Sequence, residues 1–568
     1  MKKYFLLLSV AALAFTGCKK EFLDRPPLDK LSDDTYWTSE NNVRIFAWDF
    51  YPRWFDGYGS GFTWGSYFSG QSLNDDFAPS TPTAFPVNPP AAAPVLGNTL
   101  SKDWNYTWIR KANLYLSRIQ QVPMEEAATK HWSGVARFFR ALEYHNLVRK
   151  YGDVPLQMEV LNESDLAKMY RPRDPRTVVM DSVLADMQYA AEFVRADDGD
   201  KGLVVNKSVV LAYMSRVFLF EGTWLKYHNI DQAKATQYLE AAKWAADQVI
   251  SSGRFTIGDD YRTLFTSLSL ASAKEIIMYR KYETGMLTHS LNSYNNMEPQ
   301  SGISKDAVQS YLGNDGLPIS ISTVYAGDKT IAAVMTKRDP RLYGTVVNAL
   351  RVSKYAPNYS TSAYAIHKFL NEATKSLPEG SGQLNQTDGP VIRYAEVLLN
   401  YVEAAAELGQ LTQADLDKTI NVLRKRPGVN MPSLELIGDQ PGVAGVAYDD
   451  PDRDPTVPSM IWEIRRERRV ELMMEGFRYN DLRRWKKLDY ADTQGNPDIN
   501  KGAWITKTDY PNTDVTLDGG AEGYIIPSTK AESQRLFDPK QYLEPLPLDQ
   551  IKLYLDNGSE LKQNPGWQ

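Results

Sequence analysis

Hydrophobic positions along most of this chain recur at helical spacing, the pattern of helices that bury one face. In 131–151, Trp132, Val135, Phe139 and Leu142 share a face, and Gly152 with Pro155 just beyond supplies the stop. In 207–224 the aligned positions are Val209, Tyr213, Arg216 and Phe220. Asp231 is placed to cap a following helix that turns Tyr238, Ala241, Ala245 and Val249 inward and closes at Gly253. The pattern resumes at 391–408, with Ile392, Ala395, Leu399, Val402 and Ala406 in register and Gly409 as the stop. Thr412 and Asp415 then open a helix carrying Leu416, Ile420 and Leu423. Short turns between such helices predict antiparallel αα-hairpins, although no clean repeat of about 34 residues with the tetratricopeptide signature is visible.

Two long stretches break the helical pattern. Residues 55–100 are rich in Gly, Pro, Ser and Thr, and 255–389 mixes short apolar runs such as Ile276-Ile277-Met278-Tyr279 with turn signals. A third stretch, 430–458, holds clusters of Pro and Asp. Insertions of this length in a compact protein are commonly functional loops, and binding residues concentrate on loops held by a rigid scaffold. The organisation expected is a helical region over 32–254 carrying the 55–100 insertion, an irregular ligand-binding insertion over 255–389, and a second helical region over 390–568.

The amino end changes the picture. Lys2 and Lys3 precede an apolar run over 4–15, too short for a membrane-spanning helix and of the length of a secretory signal. Thr16-Gly17-Cys18 follows, and Cys18 is the only cysteine of the 568 residues, so no internal disulfide can form. This stretch resembles a bacterial lipobox: a signal over 1–17 is removed, Cys18 is lipidated, and 18–31 with Pro26-Pro27 forms a tether. A net charge of -6 and a pI near 5.7 argue against a nucleic-acid surface. The 33 Tyr and 13 Trp point instead to ligand recognition by aromatic rings.

Five ordered segments resemble the SusD/RagB family of nutrient-binding outer-membrane lipoproteins. They are Phe22-Leu23-Asp24 with Pro27 and Tyr36-Trp37; Phe139-Arg140-Ala141 through Tyr151-Gly152-Asp153-Val154-Pro155-Leu156; and Arg393-Tyr394-Ala395-Glu396 through Tyr401 with Glu403-Ala404. The fourth is Glu467-Arg468-Arg469-Val470-Glu471-Leu472 with Glu475-Gly476, Arg478-Tyr479 and Asp481-Leu482-Arg483-Arg484-Trp485, and the fifth is Pro545-Leu546-Pro547-Leu548 with Gln563-Asn564-Pro565-Gly566-Trp567. The resemblance implies a mainly α fold, a tetratricopeptide-like hairpin scaffold with a loop-rich irregular subdomain. It also implies binding of a glycan at the cell surface, delivery to a SusC-like TonB-dependent transporter, and attachment to the outer membrane through the lipid alone. Lys19-Lys20 depart from the acidic residues associated with surface export in such bacteria; Glu21 and Asp24 follow them.

The charged run suggests a structural role. Glu467, Glu471 and Glu475 stand at i,i+4 spacing, where like charges repel, so the row requires cations. Arg468 adjoins it, and Arg478, Arg483 and Arg484 follow Gly476. A partly buried ion-pair network of Glu467, Arg468, Glu471, Glu475, Arg478 and Arg483 accounts for this better than catalysis does. The His residues show no metal-ligand spacing, no nucleophile elbow or zinc-hydrolase motif occurs, and neither catalytic residues nor a cofactor or metal are expected. A glycan site requires an aromatic plane beside polar groups. Trp64, Asn74, Asp75, Asp76 and Trp104 offer this near the first insertion, and Tyr282, His289, Asn292 and Tyr294 in the second. The alternatives of the same sequence are a peptide- or protein-binding surface lipoprotein and a surface glycosidase.

Overall fold

The computed structural model describes residues 36–567 apart from 66, 68–72, 83, 95–101, 200 and 259. The signal, Cys18 and its tether lie outside the described residues. The molecule is mainly helical. Its helices include α1 (Glu40–Trp48), α2 (Thr107–Ile119), α3 (Glu126–Tyr151), α4 (Arg176–Phe193), α5 (Lys207–Tyr227), α6 (Gln232–Ser251), α7 (Tyr394–Glu407), α8 (Ser459–Glu471), α9 (Arg478–Arg484) and α10 (Leu548–Asp556).

These helices pack in succession, α2 on α3, α3 on α4, α4 on α5, α5 on α6, α6 on α7 and α7 on α8. The result is a tetratricopeptide-like array of hairpins. Local chemistry sets their ends. Asn206 Oδ1 accepts from the Val209 amide at 3.1 Å and Asp231 Oδ1 from that of Lys234 at 2.9 Å, each satisfying a donor that the first helical turn leaves open. Thr412 and Asp415 cap each other's backbone reciprocally. Gly152 ends α3 at φ +77°, a conformation that a side chain resists. The α5–α6 crossing is close because small residues line it: a Cβ added at Gly222 would stand 2.7 Å from Leu239 Cγ.

The helical array encloses one core, which includes Trp37, Trp108, Trp132, Phe139 and Trp224. A second core lies under the insertions, where Tyr58, Tyr261, Phe265, Tyr311, Ile366 and Phe369 pack with Ile505 and Ile525 of a small sheet. Four short strands tie the insertions to the scaffold: β1 (Phe77–Ala78), β2 (Ile276–Arg280), β3 (Gly302–Ile303) and β4 (Gly389–Arg393). β1 pairs antiparallel with β3, and β2 with β4. The apolar run at 276–279 is therefore a strand, and helix α7 begins at Tyr394, not at 391. Val391 and Ile392 are drawn into β4 because the edge of β2 accepts their backbone bonds.

Candidate functional site

The Arg/Glu run forms the electrostatic centre of the fold. α8 turns Glu467 and Glu471 inward, both buried. Glu475 is not on that helical row. The helix ends at Glu471, Met474 takes φ +66°, and the turn carries Glu475 back towards the same interior. The neutralising cations come from elsewhere in the chain. Glu467 bonds Arg341 at 2.6 Å and Arg424 at 3.0 Å. Glu471 bonds Arg393 and Arg426, each at 2.7 Å, and Arg341 at 3.1 Å. Glu475 bonds Arg393 and Lys368, each at 2.7 Å. With Glu275 and Asp339 bound to the same arginines, five carboxylates (Glu275, Asp339, Glu467, Glu471, Glu475) meet five cations (Arg341, Lys368, Arg393, Arg424, Arg426).

The cations nearest in sequence serve other partners. Arg468 bonds Asp481 at 2.9 Å and Asn400 at 2.9 Å. Arg478 leaves the row altogether and clasps both oxygens of Asp75 at 2.6 Å. Arg483 forms no ion pair among the described residues; it donates to the carbonyls of Tyr542 at 2.6 Å and Arg149 at 2.7 Å. Arg483 thus ties backbone segments and does not belong to the ion-pair network.

Most of the aromatic and polar residues chosen as ligand contacts lie inside the protein. Trp104 is 5% exposed, edge-on to Tyr106 and Tyr151, and its amide donates to the Tyr151 hydroxyl. The Tyr282 hydroxyl donates to the Gly59 carbonyl at 2.8 Å. His289 Nδ1 accepts from the Leu291 amide, so its Nε2–H donates to the Thr387 carbonyl at 3.0 Å; burial pushes its pKa down to about 3 and keeps the ring neutral. Asn292 joins Asn371 to Thr374, and Asn74 caps the Asp76 amide. Burial opposes ionisation of Asp75, yet Arg469 and Arg478 hold its carboxyl down at about 2. Asp76 bonds Arg469 at 2.8 Å. These side chains brace loops, and of them only Asp75 also borders a cleft. Trp64 differs: it is half-buried, backed by the Tyr294 ring at 4.2 Å, and preceded two residues earlier by Phe62, which is 71% exposed. Trp104→Ala is accordingly expected to cost about 3–5 kcal/mol of stability in chemical denaturation. An unchanged midpoint would show that this ring does not hold the core.

A cleft whose lining suits such a ligand lies on the outer face of α8. It encloses about 450 Å³, within the range of small-ligand sites. Trp462, Arg466 and Arg469 succeed one another along this face, with Arg478 and Trp485 of the α9 segment, Tyr490 and the 450–454 turn opposite. Asp75 also lines it, the one residue of the ligand set expected from the sequence that does so. The polar groups are held in place. Trp462 Nε1 donates to Asp450 at 3.3 Å, Arg466 pairs with Asp450, and the Tyr490 hydroxyl donates to Asp454 at 2.6 Å. Arg469 bonds Asp306 at 2.7 Å. Gln309, also on the rim, joins the cleft to an aromatic ledge: it donates to Asp328 at 3.2 Å, which accepts from the Tyr524 hydroxyl, and Trp504 stands edge-on to Tyr524 at 5.1 Å. Sequence reading missed Trp462, Tyr490, Trp504 and Tyr524. The available signal was that Trp462, Arg466 and Arg469 fall on the face of α8 opposite Glu467 and Glu471. Among the described residues no group of three His, Cys, Asp or Glu side chains converges as a metal site.

An aromatic plane beside fixed carboxylates and guanidinium groups is the chemistry of polyhydroxylated ligands. Comparison with known proteins agrees with the fold. The SusD family model matches residues 274–567, and a model described as starch-binding associating with outer membrane matches 91–219. A SusD-like protein of Bacteroides ovatus is 24% identical over 529 residues, 87% of this chain and 85% of its own. SusD-like protein P2 of Formosa agariphila is 25% identical over 388 residues, 67% of this chain and 70% of its own. Among solved structures, a SusD-like carbohydrate binding protein from Bacteroides fragilis has a TM-score of 0.67 at 23% identity, covering 91% of this chain and 99% of its own. A laminarin binding SusD-like protein has a TM-score of 0.57 at 18% identity, covering 94% and 100%. Matched by that family's model over more than half of its length, the chain belongs to the SusD family.

Proposed function

We propose that this protein captures a saccharide at the outer membrane and passes it to a SusC-like TonB-dependent transporter, held at the membrane by lipid on Cys18. The observation that carries the reading is the cleft on α8, where Trp462 and Tyr490 stand among carboxylates and guanidinium groups already oriented by their own bonds. Preorganised donors spare the ordering cost of binding, and an aromatic face accepts the C–H face of a sugar ring. Carbohydrate-binding and laminarin-binding relatives with this fold support the ligand class.

The chemistry is binding without bond cleavage. A glycosidase needs one carboxyl raised towards neutrality to protonate the leaving oxygen. Three carboxylates lining the cleft shift the other way, while burial raises Asp76 and Glu463, which are bonded to Arg469 and Arg466 behind it. Burial opposes ionisation, but Arg469 and Arg478 lower Asp75, Arg466 lowers Asp450, and hydrogen bonds from Lys487, Thr456 and Tyr490 lower Asp454.

Trp462→Ala is expected to weaken saccharide binding by about tenfold or more, of the order of 1–2 kcal/mol, with an unchanged melting temperature. Calorimetric titration of the full chain in detergent with a panel of neutral oligosaccharides reads this, and Trp64→Ala serves as the comparison for the Phe62–Trp64 ledge. Wild-type affinity in Trp462→Ala would move the site away from α8. New reducing ends on incubation would refute the non-catalytic reading.

A further inference from the structure

A second cleft, of about 380 Å³, opens between α3, α5 and the start of α9. Its charges do not balance in the way those around α8 do. Several of its basic residues are spoken for: Arg216 by Glu396, Arg484 by Glu403, Arg393 by Glu471 and Glu475, and Lys150 by Asp103. Three are not. Lys102, His145 and Arg149 have no carboxylate within 4 Å among the described residues. The internal stretches 66–72 and 95–101 contain no Asp or Glu.

The three are built into the wall. His145 and Arg149 stand one turn apart on α3, and Asn146 between them donates to the Lys102 carbonyl at 2.7 Å, fixing the third beside them. Arg149 spends one Nη2 hydrogen on Asn146 Oδ1 at 3.1 Å, while its Nε is buried with no acceptor. His145 is 8% exposed and its Nε2 is likewise buried and unsatisfied. Lys102 Nζ lies 4.9 Å above the Trp54 ring, at the half-buried edge of the cleft. The carboxylates that also line the cleft are Asp56, Glu396, Glu475 and Asp481, and the last three are committed to arginines.

Two cations without a carboxylate in contact, beside the unsatisfied nitrogens of Arg149 and His145, are costly, so a site that gathers them is matched to an anion. Burial pushes the Arg149 guanidinium down to about 10, lowers Lys102 against the pull of Asp56, and holds His145 well below its ordinary value. The charge here therefore comes from Lys102 and Arg149, and the imidazole is a neutral polar group beside them. A bare inorganic anion would leave most of the space empty, since 380 Å³ is about a dozen water volumes. The walls beyond the cations are Trp54, Tyr213 and Phe477.

The geometry points to a second saccharide subsite, between Trp54, Lys102, His145 and Arg149, that takes the oxyanion of an acidic sugar, a carboxylate or a sulfate ester. It rests on the saccharide reading above and names the sugar class. The test is calorimetric titration of the full chain in detergent with a glucuronate-containing oligosaccharide, a sulfated one, a neutral one of equal length and sodium sulfate alone. The proteins are the unsubstituted chain, Lys102→Gln, Arg149→Gln and Trp462→Ala.

An acidic oligosaccharide should bind better than the neutral one, and either charge-removing variant should weaken it by about tenfold or more while leaving the neutral sugar unaffected. The uronate and sulfate arms tell which oxyanion is taken. Without ligand, Arg149→Gln should melt no lower than the unsubstituted chain, because it removes an uncompensated charge. Equal binding of acidic and neutral sugars, or acidic binding unaltered in both Gln variants, would overturn the subsite. Binding of sodium sulfate with no gain from the attached sugar would overturn its saccharide nature. If no sugar of either kind binds, the saccharide reading itself falls. Neutral binding that depends on Trp462, with no acidic preference, removes only this subsite.

Discussion

Glu471→Gln is expected to destabilise the folded chain by about 3–5 kcal/mol, the cost of removing one partner from a buried charge network. The glutamate is fully buried and accepts from Arg393, Arg426 and Arg341. Gln keeps the shape but replaces an acceptor oxygen with an amide donor facing guanidinium donors. The five-to-five balance becomes four carboxylates against five cations, in a buried interior that screens the excess poorly. Urea unfolding followed by circular dichroism measures the loss. Glu126→Gln, which breaks an exposed pair with Lys130, should leave the midpoint where it is. Equal midpoints for Glu471→Gln and the unsubstituted chain would show that the network contributes nothing.

The same residue predicts an acid limb. Burial opposes the ionisation of Glu471 and Glu403, but Arg426, Arg393 and Arg341 around the first, and Arg484 and Arg468 around the second, hold each carboxyl down at about 2 against an ordinary 4.5. Groups lowered by folding stabilise fully above their unfolded pKa, and that stability is lost as pH falls through the folded value. Stability should therefore decline between about pH 4.5 and 2, with a shallower decline in Glu471→Gln.

Cys18→Ala should release the protein from the outer-membrane fraction. One acyl chain holds a protein only marginally, at about 0.8 kcal/mol per buried CH₂, whereas the two or three chains of a lipidated amino-terminal cysteine make a lasting anchor. Fractionation of cells and immunoblotting of the membrane and soluble fractions read the outcome directly. Retention of Cys18→Ala in the membrane fraction would sink the anchor.

Much of the helical scaffold was legible because its signals are local. The caps at Asp231 and Thr412, and the stop at Gly152, act within a few residues of themselves. Where a remote partner decides, reading failed: residues 391–393 have helical periodicity but form β4, because β2 lies more than a hundred residues upstream.

The charged run shows the same division. Its sequence determined that Glu467, Glu471 and Glu475 require counter-ions, since carboxylates so spaced repel. Only the tertiary structure decided that these come from Arg341, Lys368, Arg393, Arg424 and Arg426, while Arg478 turns to Asp75. Aromatic residues divide likewise. Composition alone marked a chain rich in Trp and Tyr, but a ring suited to stacking on sugar is equally suited to filling a core. Trp104 is buried and Trp462 faces a cleft because of neighbours distant in sequence, and exposure is set by what folds over a side chain, not by the side chain itself.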